Sequence, residues 1–257
     1  MLNFKIIYLW LVIVMGVSLK CVPWSENYSI LESSPYVDYG TNCTPEIVDG
    51  PSGVSFGLGG NYIYTTTDID TSVGIRAIQG LVRKRIGDNA ELGFSGSFLF
   101  NDRTYHYFVI DTKFRLPIAK NHPDIPVLIC PDIGFGTGSG RQEWSFDFRF
   151  STFFGYPILR DRVDIYMVPK IMLFTYPYHA EGDHLWFWSK DVDYATAIIY
   201  GVSAGLNFSL PMGPQNNRIA KKVMIKPEIN YVRGKEPKLR KIDFSVTQVG
   251  LQVYYSF

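Results

Sequence analysis

Between Tyr178 and Asp193 the chain gathers side chains that can hold a metal or move a proton: His179, Glu181, Asp183, His184, Asp191 and Asp193, with Trp186, Phe187 and Trp188 among them. Two carboxylates separate His179 from His184, so nitrogen and oxygen donors for a divalent ion lie close together in sequence. The spacing departs from the His-Glu-x-x-His pattern, and no established zinc motif is matched. An acid-rich loop is ordinarily solvated, and its tryptophans also fit an interfacial cluster or a loop folding over a mouth. His106 adds a further candidate base, but a general base needs a partner within hydrogen-bond reach, which residues on separate segments do not reveal. The expectation is therefore no catalytic residue, no cofactor and no bound metal, with His179, Glu181, Asp183 and His184 as the metal candidates.

Other chemistry-bearing residues are ambiguous. Cys21, Cys43 and Cys130 contain no Cys-x-x-Cys pair and give no zinc signature. Gly134, Gly136, Gly138 and Gly140 alternate, but no helical pattern follows them, which disfavours a phosphate cradle. Arg233, Lys235, Lys238, Arg240 and Lys241, interrupted by Glu236, form a basic stretch that can either hold lipid phosphates or simply stay solvated.

The elements that must position these residues follow a period of two. From Tyr194 to Leu210, Tyr194, Thr196, Ile198, Tyr200, Val202, Ala204, Leu206, Phe208 and Leu210 share one face, opposed mainly by Ala, Gly, Ser and Asn. Trp144, Phe146, Phe148, Phe150, Phe154 and Tyr156 likewise oppose Ser145, Asp147, Arg149 and Ser151. Alternation of this length predicts strands. Ten are expected, near 53–66, 72–86, 89–101, 104–117, 125–138, 142–158, 162–178, 193–211, 219–233 and 241–257, with eight or twelve as alternatives and a bulge near Ala77, where the pattern changes face.

Rows of Trp, Phe and Tyr cannot share a narrow barrel interior, whereas Gly, Ser, Ala and paired charges can fill one. The aromatic rows must then point outward, which requires lipid outside. This choice sends Glu91, Asp111, Lys113, Arg115, Asp132, Asp147, Arg149, Asp164, Lys170, Lys226 and Glu228 inward. In so narrow a lumen these are expected to pair into a polar filling; a narrow selective pore is the alternative.

Charged residues are only 19% of the 257 and aromatics reach 16%, a balance suited to a surface that does not face water everywhere. Residues 1–20 read as an export signal: Lys5, then the apolar run from Ile6 to Val17, then Gly16-Val17-Ser18 as a small-residue cleavage site. That run is too short to span a bilayer as a helix. Cys21 follows directly and is either a lipid attachment point, as in a lipoprotein signal, or the disulfide partner of Cys43, with Cys130 left as a buried thiol. Loss of residues 1–18 leaves 24 basic against 24 acidic residues, a neutral chain with nothing to favour nucleic acid. Residues 21–52, with Pro23, Pro35, Pro45 and Pro51, read as a periplasmic leader or linker, and 53–257 as the barrel.

The final run alternates Val249, Leu251, Val253, Tyr255 and Phe257 with Gly250, Gln252, Tyr254 and Ser256. It resembles the closing strand of bacterial outer-membrane β-barrels, whose terminal aromatic is read by the assembly machinery. Residues 53–257 are similar in general build to the small barrels of the outer-membrane protein A type. The resemblance implies an all-β, transmembrane, antiparallel up-and-down barrel in the bacterial outer membrane, with both termini periplasmic. Tyr255 and Phe257 would be the assembly signal, and the barrel assembly machinery, outer-membrane lipids and lipopolysaccharide the partners of a monomer. It also implies a non-enzymatic structural or binding protein or narrow channel. The enzyme alternative, a protease or lipid-modifying barrel, would use Asp and His at an outer rim near 179–193.

Overall fold

The computed structural model describes residues 39–41, 52–67, 72–100, 104–116, 128–140, 143–159, 162–178, 193–212, 221–235 and 243–256. These hold ten strands: β1 Val54–Thr67, β2 Ser72–Gly87, β3 Ala90–Phe100, β4 Thr104–Phe114, β5 Leu128–Gly140, β6 Glu143–Leu159, β7 Val163–Tyr178, β8 Asp193–Met212, β9 Lys221–Lys235 and β10 Asp243–Ser256. Each pairs antiparallel with its neighbours in sequence, and β1 closes on β10 through a ladder running from Ser55 against Ser256 to Thr67 against Phe244. Closure gives every strand two partners and leaves no edge for another chain to extend.

Alternation now separates inside from outside. In β3 the inward set is Glu91, Gly93, Ser95, Ser97 and Leu99, and in β9 it is Met224, Lys226, Glu228, Asn230, Val232 and Gly234. No parity change interrupts β2 at Ala77. Its ladder to β1 is continuous from Lys84 to Ser72, and Ile75, Ala77, Gln79, Leu81 and Arg83 all point inward. The register shift lies instead between Arg85 and Gly87, beside the 88–89 turn. What changes near Ala77 is the composition of the interior, from apolar above to polar below.

Taking the end with the 68–71 and 236–242 connections as upper, the upper interior is an apolar and aromatic cluster containing Ile63, Ile75, Leu99, Tyr105, Phe174, Tyr176, Ile199, Val232, Phe244 and Val246. The polar and charged side chains lie mainly below it. This departs from an interior of small and charged residues alone. On β10, Phe244 and Val246 are inside while Ser245 and Thr247 are outside, and its ladders to β1 and β9 continue unbroken past Thr247, so the strand carries no bulge there.

Two further differences concern the ends of the barrel. Arg115 follows the last residue of β4 and is exposed, its amide donating to the carbonyl of Asn89; it is not part of the lumen. Tyr39, Gly40 and Thr41, within the expected periplasmic leader, are buried inside the barrel. Ser52 and Gly53 lie at the lower end of the barrel, where the Gly53 carbonyl accepts from the amide of Arg85 and a positive φ of 59° suits glycine.

Candidate functional site

The lumen pairs charged groups across β2, β3 and β4 and along β6 and β9. Arg83 on β2 is the hub of one cluster: its Nε donates to Glu91 Oε1 and its Nη2 to Asp111 Oδ1, both at 2.5 Å. Lys113 Nζ lies 2.9 Å from the same Glu91 oxygen. Two cations and two anions, almost completely removed from solvent, therefore neutralise one another. Gly93 makes room for them, since a Cβ there would fall 2.6 Å from Asp111 Oδ1.

A second cluster joins Tyr107, Asp147 and Arg149. Arg149 Nε donates to Asp147 Oδ1 at 2.8 Å, and the Tyr107 hydroxyl bridges the same two residues. The β5 glycines are its complement, because a Cβ on Gly136 would come within 2.7 Å of Asp147 Cγ and one on Gly134 within 2.9 Å of Arg149 Cγ. Gly134 and Gly136 thus provide space for charged neighbours.

The third cluster centres on Lys226 and Glu228, 3.2 Å apart on β9. Tyr166 donates its hydroxyl to Glu228 at 2.8 Å; Lys226 donates to Gln252 Oε1 at 2.9 Å, which also accepts from Tyr254 at 2.8 Å; and Gln252 Nε2 donates to Gln79 at 2.9 Å. Nearby, Asp164 accepts from Asn207 at 3.2 Å. Asp132 Oδ2 is 3.4 Å from the Ser151 hydroxyl, and its Oδ1 has no hydrogen-bond partner among the described residues.

Residues 39–41 thread between these groups. The Tyr39 amide donates to Gln248 Oε1 at 3.0 Å and its carbonyl accepts from Lys170 Nζ. Two residues on, the Thr41 amide donates to Glu228 Oε1 at 2.8 Å, and its carbonyl accepts from Lys226 Nζ at 2.6 Å. The Thr41 hydroxyl contacts both Glu228 and Lys226.

Of the sequence candidates, Glu91, Asp111, Lys113, Asp132, Asp147, Arg149, Asp164, Lys170, Lys226 and Glu228 all lie on the inward parity. Arg83, Tyr107, Tyr166, Gln79, Gln248 and Gln252 are additional members. Arg83 has the inward parity of Gln79 and Leu81, a signal obscured by the change in composition at Ala77. His106 points outward with its ring edge-on to Phe98 at 5.1 Å, away from the luminal carboxylates. His179, Glu181, Asp183, His184, Asp191, Cys21, Cys43 and Phe257 lie outside the described residues. Among the described residues no three His, Cys, Asp or Glu side chains form a metal-holding group, and Cys130 is a buried cysteine packed with Phe153, Tyr166 and Val168.

The outer face decides the environment. Leu58 (65% exposed), Ile78, Leu92, Ile110, Phe135, Phe148, Met167, Val202, Ile229 and Leu251 form an apolar belt to which every strand contributes. Tyrosines flank it, with Tyr62, Tyr64, Tyr200 and Tyr231 toward the upper edge and Tyr156 toward the lower. A closed sheet with lipophilic residues outside and neutralised ions inside is stable only in a bilayer. The molecule is a transmembrane β-barrel.

No family model matches the chain, and no curated protein matches it. Solved structures similar to it include neisserial surface protein A, with 12% identity over 80% of this chain and 98% of the other, at a TM-score of 0.36. The translocator domain of the autotransporter NalP from Neisseria meningitidis shares 12% identity over 82% and 91%, at 0.41. Ail, the attachment invasion locus protein of Yersinia pestis, shares 14% over 79% and 99%, at 0.29.

Proposed function

We propose that this barrel resides in a bacterial outer membrane as a closed, non-enzymatic scaffold that presents its upper connections for binding or adhesion. The observation that carries the reading is the filled lumen: three charge-balanced clusters and an apolar upper plug of side chains occupy the path a solute would take. Free passage of ions requires a continuous water-filled route, which such packing opposes. The lower end, where Gly53 meets β2 and Ser256 meets β1, would face the periplasm. Residues 1–20 would direct export, and Cys21 would be lipidated or bridged to Cys43. Tyr255 and Phe257 would be read during assembly, and lipopolysaccharide and other outer-membrane lipids would surround the belt of a monomer.

Reconstitution of the full chain into planar bilayers tests the reading. A silent bilayer, together with recovery in the outer-membrane fraction and a shift in gel migration on boiling, is expected. Stepwise single-channel conductance would replace the scaffold with a pore, and full solubility without detergent would overturn both.

A further inference from the structure

The four luminal groups that hold residues 39–41 are arranged to bind main chain. Tyr39 and Thr41 each have both backbone polar groups bonded to side chains of the barrel: amide to Gln248 and carbonyl to Lys170 for Tyr39, amide to Glu228 and carbonyl to Lys226 for Thr41. Buried backbone N–H and C=O groups must be paired, and here β7, β9 and β10 supply two donors and two acceptors at alternate residues of one segment. Side chains add selectivity, because Tyr39 is 1% exposed within the upper cluster and the Thr41 hydroxyl sits between Lys226 and Glu228. Lys226 is completely buried, and the bonds to Thr41 satisfy donors that a lumen of hydrocarbon would leave expensively unpaired.

We propose that the lumen is a polypeptide-binding site whose ligand is the chain's own Tyr39–Thr41 segment, making that segment an intramolecular plug. The site reads backbone at two residues and side chains at Tyr39 and Thr41, so a peptide carrying the same segment should exchange with it. This goes beyond the scaffold reading, since a closed lumen can be filled by side chains alone.

The test begins with the folded full chain carrying a protease site in place of residues 45–49 and is read after cleavage in detergent. A fluorescent peptide spanning residues 34–44 is then added at increasing concentration. The cleaved N-terminal fragment is expected to remain with the barrel through gel filtration and to be displaced by the peptide. A peptide with Tyr39→Ala and Thr41→Val should compete at least about tenfold less well, as follows from losing side-chain hydrogen bonds and burial. In the Lys170→Met, Gln248→Leu variant the fragment should leave at least about tenfold faster. Lys226→Met combined with Glu228→Gln provides a second variant, and boiling-sensitive gel migration verifies that each is folded. Immediate loss of the fragment from the parent barrel, or equal competition by the altered peptide, would overturn the proposal. Neither result would by itself produce conductance, so failure here is distinguishable from failure of the scaffold reading.

Discussion

At the scale of single residues, Arg83 shows how a charge becomes structural. It lies between Glu91 and Asp111, so its removal leaves two buried carboxylates with less than their compensating charge. Arg83→Met should therefore lower unfolding stability in lipid vesicles by about 3–5 kcal/mol, the usual consequence of breaking a buried ion pair; urea titration followed by tryptophan fluorescence measures it, and a loss below about 1 kcal/mol would show that water compensates the acids. Gly136→Val should cost about 1–3 kcal/mol through overpacking against Asp147 and Tyr107. The same titration reports it, and Gly87→Val, with nothing within 4 Å of the added Cβ, serves as the control. Parity made ten of the inward charges legible, but not their partners. Arg83 was obscured by the mixed chemistry of β2, and the tyrosine and amide members carry no charge to single them out.

At the scale of the element, β10 explains how one strand serves two environments. Below Thr247, Val249, Leu251 and Val253 face outward and Gln248 and Gln252 inward; above it, Phe244 and Val246 face inward and Ser245 outward. Where lipid lies outside, apolar side chains belong there. Where water lies outside, the same closed sheet needs an apolar interior, as a soluble barrel does. The change from one pattern to the other produces the apparent face reversal on β10 near Thr247 and on β2 near Ala77, with no bulge at either place. It also fixes depth: Thr66 and Ser245 share a hydroxyl hydrogen bond on the outer face at 2.7 Å, and Arg233 and Lys235 flank Asp243 there. Leu251→Arg is accordingly expected to cost about 2–4 kcal/mol and Thr247→Arg no more than about 1 kcal/mol in vesicle unfolding. Equal costs at the two positions would place the membrane boundary elsewhere.

At the scale of the whole molecule, closure of β1 on β10 joins the first and last strands and brings Ser55 opposite Ser256. Interrupting this ladder should affect the entire barrel. Gly59→Pro removes an amide from a strand paired on both sides, and the folded, fast-migrating form is expected to be lost without boiling; unchanged gel migration would show that closure tolerates the gap. By itself, the sequence indicated about ten strands with eight or twelve left open, most strand limits to within a few residues, and which face of most strands meets lipid. Those properties follow from alternation, a local consequence of side chains leaving opposite faces of a strand. Only the tertiary structure decided that Arg83 meets Glu91 and Asp111, that the upper lumen is apolar, and that Tyr39 and Thr41 lie among Lys170, Lys226, Glu228 and Gln248. These contacts depend on register and closure, which bring together residues up to 209 positions apart, and no local period encodes them.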